Sequence, residues 1–264
     1  MNSSIRYISL SLLTIAYIFN FIDRQILAIL LPYIKVEFNA EDWLLGFLAG
    51  PAFAILYVTL GIPLAILADR WSRRNLVMIS TACWSLMTCL CGIVTSLFQL
   101  VLTRIGVGIG EAGFSPAAHS LIADMFPSER RSLAMGVFTL GIAFGIMFAY
   151  IGGAWIVSNF GWRETFLFVG FPGLMIALAI WKWVPEPPRD SSGKYPFFQK
   201  KIRFLKVVKF LLIKKSFVHM SLGAGFASFS AYAVLSFFPS FLQRSHGLNI
   251  KEIGLYLGLV IGLS

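Results

Sequence analysis

Charge is scarce in this chain. Of its 264 residues 13% are Asp, Glu, Lys or Arg, against 58% that are apolar. A soluble domain carries about a quarter charged residues. This chain cannot cover itself with polar surface, so it belongs in a bilayer. Acid is scarcer still: 12 Asp and Glu stand against 22 Lys and Arg. Cysteine is nearly missing, and Cys83, Cys89 and Cys91 all fall in one apolar run. That excludes a disulfide scaffold and reads as reduced packing residues. There is no cluster of metal ligands and no nucleophile with a base in reach, so no enzyme, metal or cofactor is expected. No short apolar leader with a small-residue cleavage site opens the chain. The first apolar run is long and holds Asp23, which marks a retained span.

What the chain has instead is long apolar runs. A membrane-spanning helix needs about 20 apolar residues. Seven runs qualify, at 7–33, 43–68, 75–97, 99–123, 133–158, 164–184 and 216–242, and an eighth starts near Lys251. The expected fold is all-α and polytopic. A six-helix bundle occupies 1–184, a basic linker 185–215, and the start of a second bundle 216–264. Arg70, Arg73, Arg74, Arg130 and Arg131 sit in loops on one side, as do the nine basic residues of 185–215. The other side holds Lys35, Arg163, Arg244 and Lys251. Positive loops stay cytoplasmic, so the N-terminus is expected in the cytoplasm of a cell-membrane protein. The net charge of +10 then sets topology and does not point to nucleic acid. The stretch "KYPFFQKKIRFLKVVKFLLIKK" alternates basic and apolar residues, as an amphipathic helix on the leaflet does.

The second set of runs resembles the first. With Pro32 set opposite Pro239, "LPYIKVEFNAEDWLLG" faces "FPSFLQRSHGLNIKEIG", and Gly46 falls opposite Gly254 after one inserted residue. Parallel repeats of this kind build transporters from two halves.

Four charges interrupt the apolar runs: Asp23, Arg24, Arg104 and Glu111. A charge at mid-bilayer costs at least about 2.5 kcal/mol, so each needs a reason. A plain structural ion pair is one reason. Arg104 and Glu111 share a helix face about 10 Å apart along the axis, so neither can satisfy the other. Counted from the outer helix ends, Arg104 lies roughly 8 Å deep, Glu111 roughly 18 Å and Asp23 roughly 13 Å. Asp23 is therefore in place to meet Arg104 in one state and leave it in another. Two carboxylates beside one arginine form a coupled set that holds a proton near neutral pH. We expect Asp23, Glu111 and Arg104 to form a proton-coupling site. Asn20, one turn before Asp23, is in place to hydrogen-bond it. Arg24 points about 100° away, toward substrate or a third helix. Gly106 and Gly110 form GxxxG, expected to admit the first helix beside these charges. Gly141, Gly145, Ala149 and Gly153 mark a second packing stripe. His119 reads as packing, a pore wall or a proton relay. Phe229 and Tyr232 on the seventh span line a candidate cavity or simply pack. The candidate substrate contacts are thus Asn20, Arg24, His119, Phe229 and Tyr232.

Taken together these motifs resemble the major facilitator superfamily. "AILADRWSRRN" is similar to the family's G-x-x-x-D-R-x-G-R-R turn, with Ala65 and Ser72 in place of its two glycines. "LTRIGVGIGEAGFSP" is similar to its R-x-x-x-G-x-G-E-A pattern. "NFIDRQILAILLPYIKVEF", "GIGEAGFSPAAHSLIADMFPSERR", "GWRETFLFVGFPG" and "VPEPPRD" resemble the Spinster-like group. The resemblance implies a proton-driven carrier with alternating access that moves a small organic or lipid-like amphiphile and is monomeric when full length. It implies that Asp23 and Glu111 take the proton, with Arg104 as partner. It also implies a latch of Asp69, Arg70, Arg74 and Arg130 at the cytoplasmic helix ends. The family has twelve helices, and this sequence reads as a fragment that stops in the eighth. An organic-anion symporter using Arg24 and Arg104 remains open, as does a non-transporting sensor or inert fragment.

Overall fold

The computed structural model describes residues 3–187 and 204–263. The basic stretch from Lys194 to Arg203 lies outside them. The described chain is helical, without strands: α1 (Ser3–Phe38), α2 (Asp42–Ala49), α3 (Pro51–Arg70), α4 (Arg73–Cys91), α5 (Leu97–Ala112), α6 (Phe114–Met125), α7 (Ser128–Asn159), α8 (Trp162–Trp183), α9 (Phe204–Ile213), α10 (Lys215–His246) and α11 (Ile250–Leu263). Among the described residues six stretches are long and apolar enough to cross a membrane: α1, α2 with α3, α5 with α6, α7, α8 and α10. The chain is a polytopic all-α membrane protein.

Three predicted spans differ in detail. The run 43–68 breaks at Gly50, whose backbone leaves the helical region, and Pro51 restarts the helix as α3. Proline suits a first helical turn because its missing N–H has no partner there. The run 99–123 breaks at Gly113, between α5 and α6. The run 75–97 stops early, since α4 ends at Cys91. It falls short of the apolar spans because Arg73, Arg74 and Asn75 open it and Ser80, Thr81, Ser85 and Thr88 dilute its apolar length. Local chemistry explains the other boundaries. The side chains of Ser72 and Ser96 cap α4 and α5 by accepting from the N–H of Asn75 and Gln99. Gly247 closes α10 in a left-handed conformation that glycine adopts without strain.

Glycines set the helix approaches. A Cβ at Gly145 would lie 2.6 Å from Phe21 Cβ and 2.7 Å from Ile18 O, so α7 and α1 touch backbone to backbone. Gly141 and Gly153 face Tyr17 and Ile26 on the same helix. Gly106 and Gly110 do not face α1, as the sequence suggested. They face Met87 and the Trp84 backbone of α4, while Gly108 faces the Phe53 backbone of α3. GxxxG signals a close neighbour but not which one. On α11, Gly254, Gly258 and Gly262 seat against Tyr150, Ile151 and Met147 of α7.

α10 meets the six-helix unit at one end. Residues 215–234 are exposed at nearly every position, whereas Leu235 and Leu242 pack on the core. Pro239 cannot donate to the carbonyl of Leu235, and the Tyr150 hydroxyl donates to that oxygen instead at 2.6 Å. In a bilayer such a freed carbonyl must find a partner. Pro32 and Pro239 both lie inside their helices, toward this same end. Along α1 two apolar clusters succeed one another, one holding Leu10 to Tyr17 and the other Ile26 to Ile34. Asn20, Asp23 and Arg24 fall in the gap between them.

The α1–α7 contact yields a test. Gly145→Ala is expected to destabilise the bundle by about 1–3 kcal/mol through overpacking. Gly152→Ala, on the same helix with no atom within 4 Å of the added Cβ, should be neutral or slightly stabilising. Thermal unfolding of the two variants in detergent checks the contrast.

Candidate functional site

The four charges within the apolar runs meet as two crossed pairs between α1 and α5. Arg104 Nη1 donates to Asp23 Oδ1 at 2.7 Å, and Arg24 Nε donates to Glu111 Oε2 at 2.6 Å. All four are withdrawn from solvent: Asp23 is 1% exposed, Arg104 2%, Glu111 0% and Arg24 9%. Adjacent residues on α1 thus reach residues two turns apart on α5. The long arginine arms span the difference, one from each helix. Sequence reasoning placed Asp23 near Arg104 and left Arg24 without a defined partner. The structure gives it Glu111.

The pairs have different surroundings. Both oxygens of Asp23 are engaged, since the Thr88 hydroxyl of α4 contacts Oδ2. Glu111 keeps Oε1 buried without a partner among the described residues. Arg24 lies against rings, 4.5 Å from the Tyr57 centroid, 5.1 Å from Phe53 and 5.2 Å from Phe21. Arg104 has one ring, Phe53, at 6.0 Å. Thr88, Phe53 and Tyr57 were not foreseen. The signal for Thr88 is the Thr81, Ser85, Thr88 spacing, a polar helix face inside an apolar run. The rings carried no such signal.

The remaining candidates are dispersed. Asn20 is fully buried, but its amide does not bond Asp23 and both its polar atoms lack a partner. One turn of helix separates the two side chains, and both project from the same helix. His119 is half-buried. Its Nδ1 lies 2.7 Å from Ser115 O and its ring sits edge-on to Phe138. Tyr232 lies within electrostatic range of Arg24, while Phe229 is 75% exposed on α10.

At the basic end, the organising cation is Arg73, which is 3% exposed. It holds Asp124 of α6, Glu186 at 3.0 Å, Ser120 Oγ at 3.1 Å and the Pro187 carbonyl at 3.1 Å. Of the expected latch, Asp69 and Arg70 are exposed. The Arg74 side chain turns to Asn75 Oδ1, its backbone N–H donates to Glu186 at 2.8 Å, and Arg130 reaches Tyr7 at 3.3 Å. These contacts lie among α1, α4, α7 and the segment just after α8. The opposite end carries an ion contact to α10: Asp42 of α2 binds Lys35 at 2.6 Å and Arg244 at 2.9 Å.

Burial would raise the Glu186 carboxyl. The Arg74 N–H, the Ser72 hydroxyl and Arg73 outweigh it and hold the group below its ordinary range. The stabilisation is therefore complete above the normal Glu value, about 4.3, and is lost as the pH falls through the depressed value. Glu186→Gln should remove that acid-side decline in thermal stability while costing about 1–3 kcal/mol near neutrality. Unfolding midpoints of wild type and variant across an acid pH series check it.

Long apolar helices around buried, paired charges define a polytopic membrane protein. Residues 13–264 match the model of the Major Facilitator Superfamily, and the chain belongs to that family. It is 32% identical to an MFS-type efflux pump of Mycolicibacterium smegmatis, over 92% of this chain and 56% of that one. It is 29% identical to protein spinster homolog 3 of Danio rerio, over 90% of this chain and 48% of that one. The crystal structure of a bacterial homologue of the human lysosomal transporter Spinster, inward-facing and unoccupied, superposes with TM-score 0.88 at 34% identity. It covers 99% of this chain and 60% of that one. The Spinster-like likeness read from the motifs is thus present in sequence and in fold. The chain spans about half to three-fifths of these relatives' length.

Proposed function

We propose that this protein is a secondary transporter that works by alternating access and couples to protons the movement of a small organic or lipid-like amphiphile. The observation that carries the reading is the crossed pair of ion pairs with one carboxylate oxygen, Glu111 Oε1, buried and unpartnered. A buried ion pair adds little stability over an apolar contact of the same size. Four such charges in one place suit a switch better than a staple. A proton added to Glu111 neutralises it and weakens its hold on Arg24, while Asp23 keeps Arg104. Release of that proton to the other side restores the pair. Asp23 and Glu111 are the exchanging candidates, with Arg104 and Arg24 as their counter-charges. Asn20, Tyr232, His119 and Phe229 are proposed for the substrate path.

In proteoliposomes of the protein in its full reading frame, Asp23→Asn and Glu111→Gln should abolish substrate-driven proton movement. Intact proton movement in both variants would sink the coupling reading. A second reading, an organic-anion symporter, is favoured by Arg24 alone, the most exposed of the four. It requires that Arg24→Ala lose anionic substrates and spare neutral ones.

The basic end is proposed to face the cytoplasm of the cell membrane, with the N-terminus there. The divisions 1–184, 185–215 and 216–264 then separate one bundle, a linker and the start of another. On this orientation the Asp42–Arg244 contact closes the outer end between the two bundles. Asp42→Asn should raise the thiol-labelling rate of a Ser240→Cys probe, beside the contact, two- to fivefold. An exposed bridge contributes no more than about 1 kcal/mol. An unchanged rate would remove Asp42 from the closure.

A further inference from the structure

We propose that Phe53 and Tyr57 of α3, with Phe21 of α1, form an aromatic cradle that keeps Arg24 in place while Glu111 changes charge. They are positioning residues for the coupling step, and the proposal rests on the reading just given. The break at Gly50–Pro51 starts α3 just before Phe53. Phe53 and Tyr57 follow one turn apart, their rings stacked at 5.2 Å and 22°. The wall they make is fixed to the helix that carries Glu111, because a Cβ at Gly108 would lie 2.4 Å from Phe53 O. Arg24 rests on that wall and turns Nε to Glu111.

The physical need is specific. A guanidinium that loses its carboxylate inside an apolar bundle is stranded, and it draws in water, an ion or another acid. The nearest other acid is Asp23, already bound to Arg104 and Thr88. Ring faces attract a cation without carrying net charge, so they hold it whether or not Glu111 is ionised. The charged groups around Glu111 are Arg24 and Asp23 from α1 and Arg104 on its own helix; Tyr57 of α3, whose hydroxyl is also in hydrogen-bonding reach of Arg24, and Tyr232 of α10 lie in range of Arg24. Arg104, with a single ring at 6.0 Å, has no comparable support. Its hold depends on an Asp23 that stays charged. Of the two candidate acids, the cradle therefore narrows proton exchange to Glu111 and leaves Asp23–Arg104 as the pair that holds.

Arginine-selective phenylglyoxal labelling of the full chain in detergent micelles, read by mass spectrometry, tests this. Glu111→Gln stands for the protonated acid. Its Arg24 labelling rate should stay within about twofold of wild type, and adding Tyr57→Leu should raise it about tenfold. Tyr57→Leu alone should raise it less, because Glu111 still holds the arginine. Tyr57→Phe should behave as wild type, and the rates at Arg104 and Arg73 should not move in any variant. Three results would overturn the proposal: Glu111→Gln alone freeing Arg24 as far as the double variant, Tyr57→Phe failing like Tyr57→Leu, or Arg104 rising in parallel, since the rings would then be general packing. The labelling does not depend on transport. Absent substrate-driven proton movement in wild-type proteoliposomes, with Arg24 still held in the labelling, would overturn the coupling reading and leave the cradle standing.

Discussion

A full charge in an apolar bundle needs an opposite charge within reach, and this structure is arranged around that need. Left unpaired, Asp23, Arg24, Arg104 and Glu111 would cost on the order of 10 kcal/mol on insertion scales, comparable to the whole stability of a typical domain at about 5–15 kcal/mol. The bundle must therefore bring α1 and α5 into register so that both pairs form. The glycines of α5 let α3 and α4 press against it, and those of α7 do the same for α1. α1 and α5 are not themselves closely packed, and the arginine arms cross the space between them to the acids. The fully buried apolar residues of α1 stop on either side of Asn20 to Arg24, and the apolar groups that enter the space there are the rings against Arg24.

The two pairs occupy this frame unequally. Asp23 has a partner at each oxygen, from different helices. Glu111 has one partner and one idle oxygen. Arg24 has rings on which to lie, and Arg104 has its acid. Protonating Asp23 would disturb α4 and α5 together, whereas protonating Glu111 disturbs one bond to a cation that is otherwise supported. The asymmetry lies in the neighbours rather than in the charges, and it separates a pair suited to change from a pair suited to hold.

Much of the fold was legible because hydropathy in a bilayer leaves few options. The apolar runs and the helical class follow from composition alone. The meeting of Asp23 with Arg104 was legible from depth along two helices. The partner of Arg24 was not, because counting Cα positions ignores an arginine arm about as long as one helical turn. Gly106 and Gly110 announced close contact without naming α4, since a small residue carries no address. Arg73 was one of three arginines in a short turn, and only burial distinguishes it from Arg70 and Arg74. The aromatic wall was invisible for a similar reason: in a chain with 15% aromatic residues, two more on a span say nothing until a cation is seen to rest on them.

The turn before α4 departs from its family's pattern, and the departure has a use. Where the signature has glycine, this chain has Ser72. A glycine is required only where the backbone turns left-handed or a neighbour leaves no room for a side chain. Ser72 has φ −62° and ψ 116°, an extended conformation open to any residue. Its hydroxyl then does two things a glycine cannot. It accepts from the Asn75 N–H to start α4, and it donates to Glu186 at 2.8 Å. Glu186 is the acid that Arg73 and the Arg74 backbone also hold. The side chain gained at Ser72 thus ties the segment after α8 to the start of α4. The geometry of the turn is kept by the bonds that serine makes rather than by the freedom that glycine would have supplied.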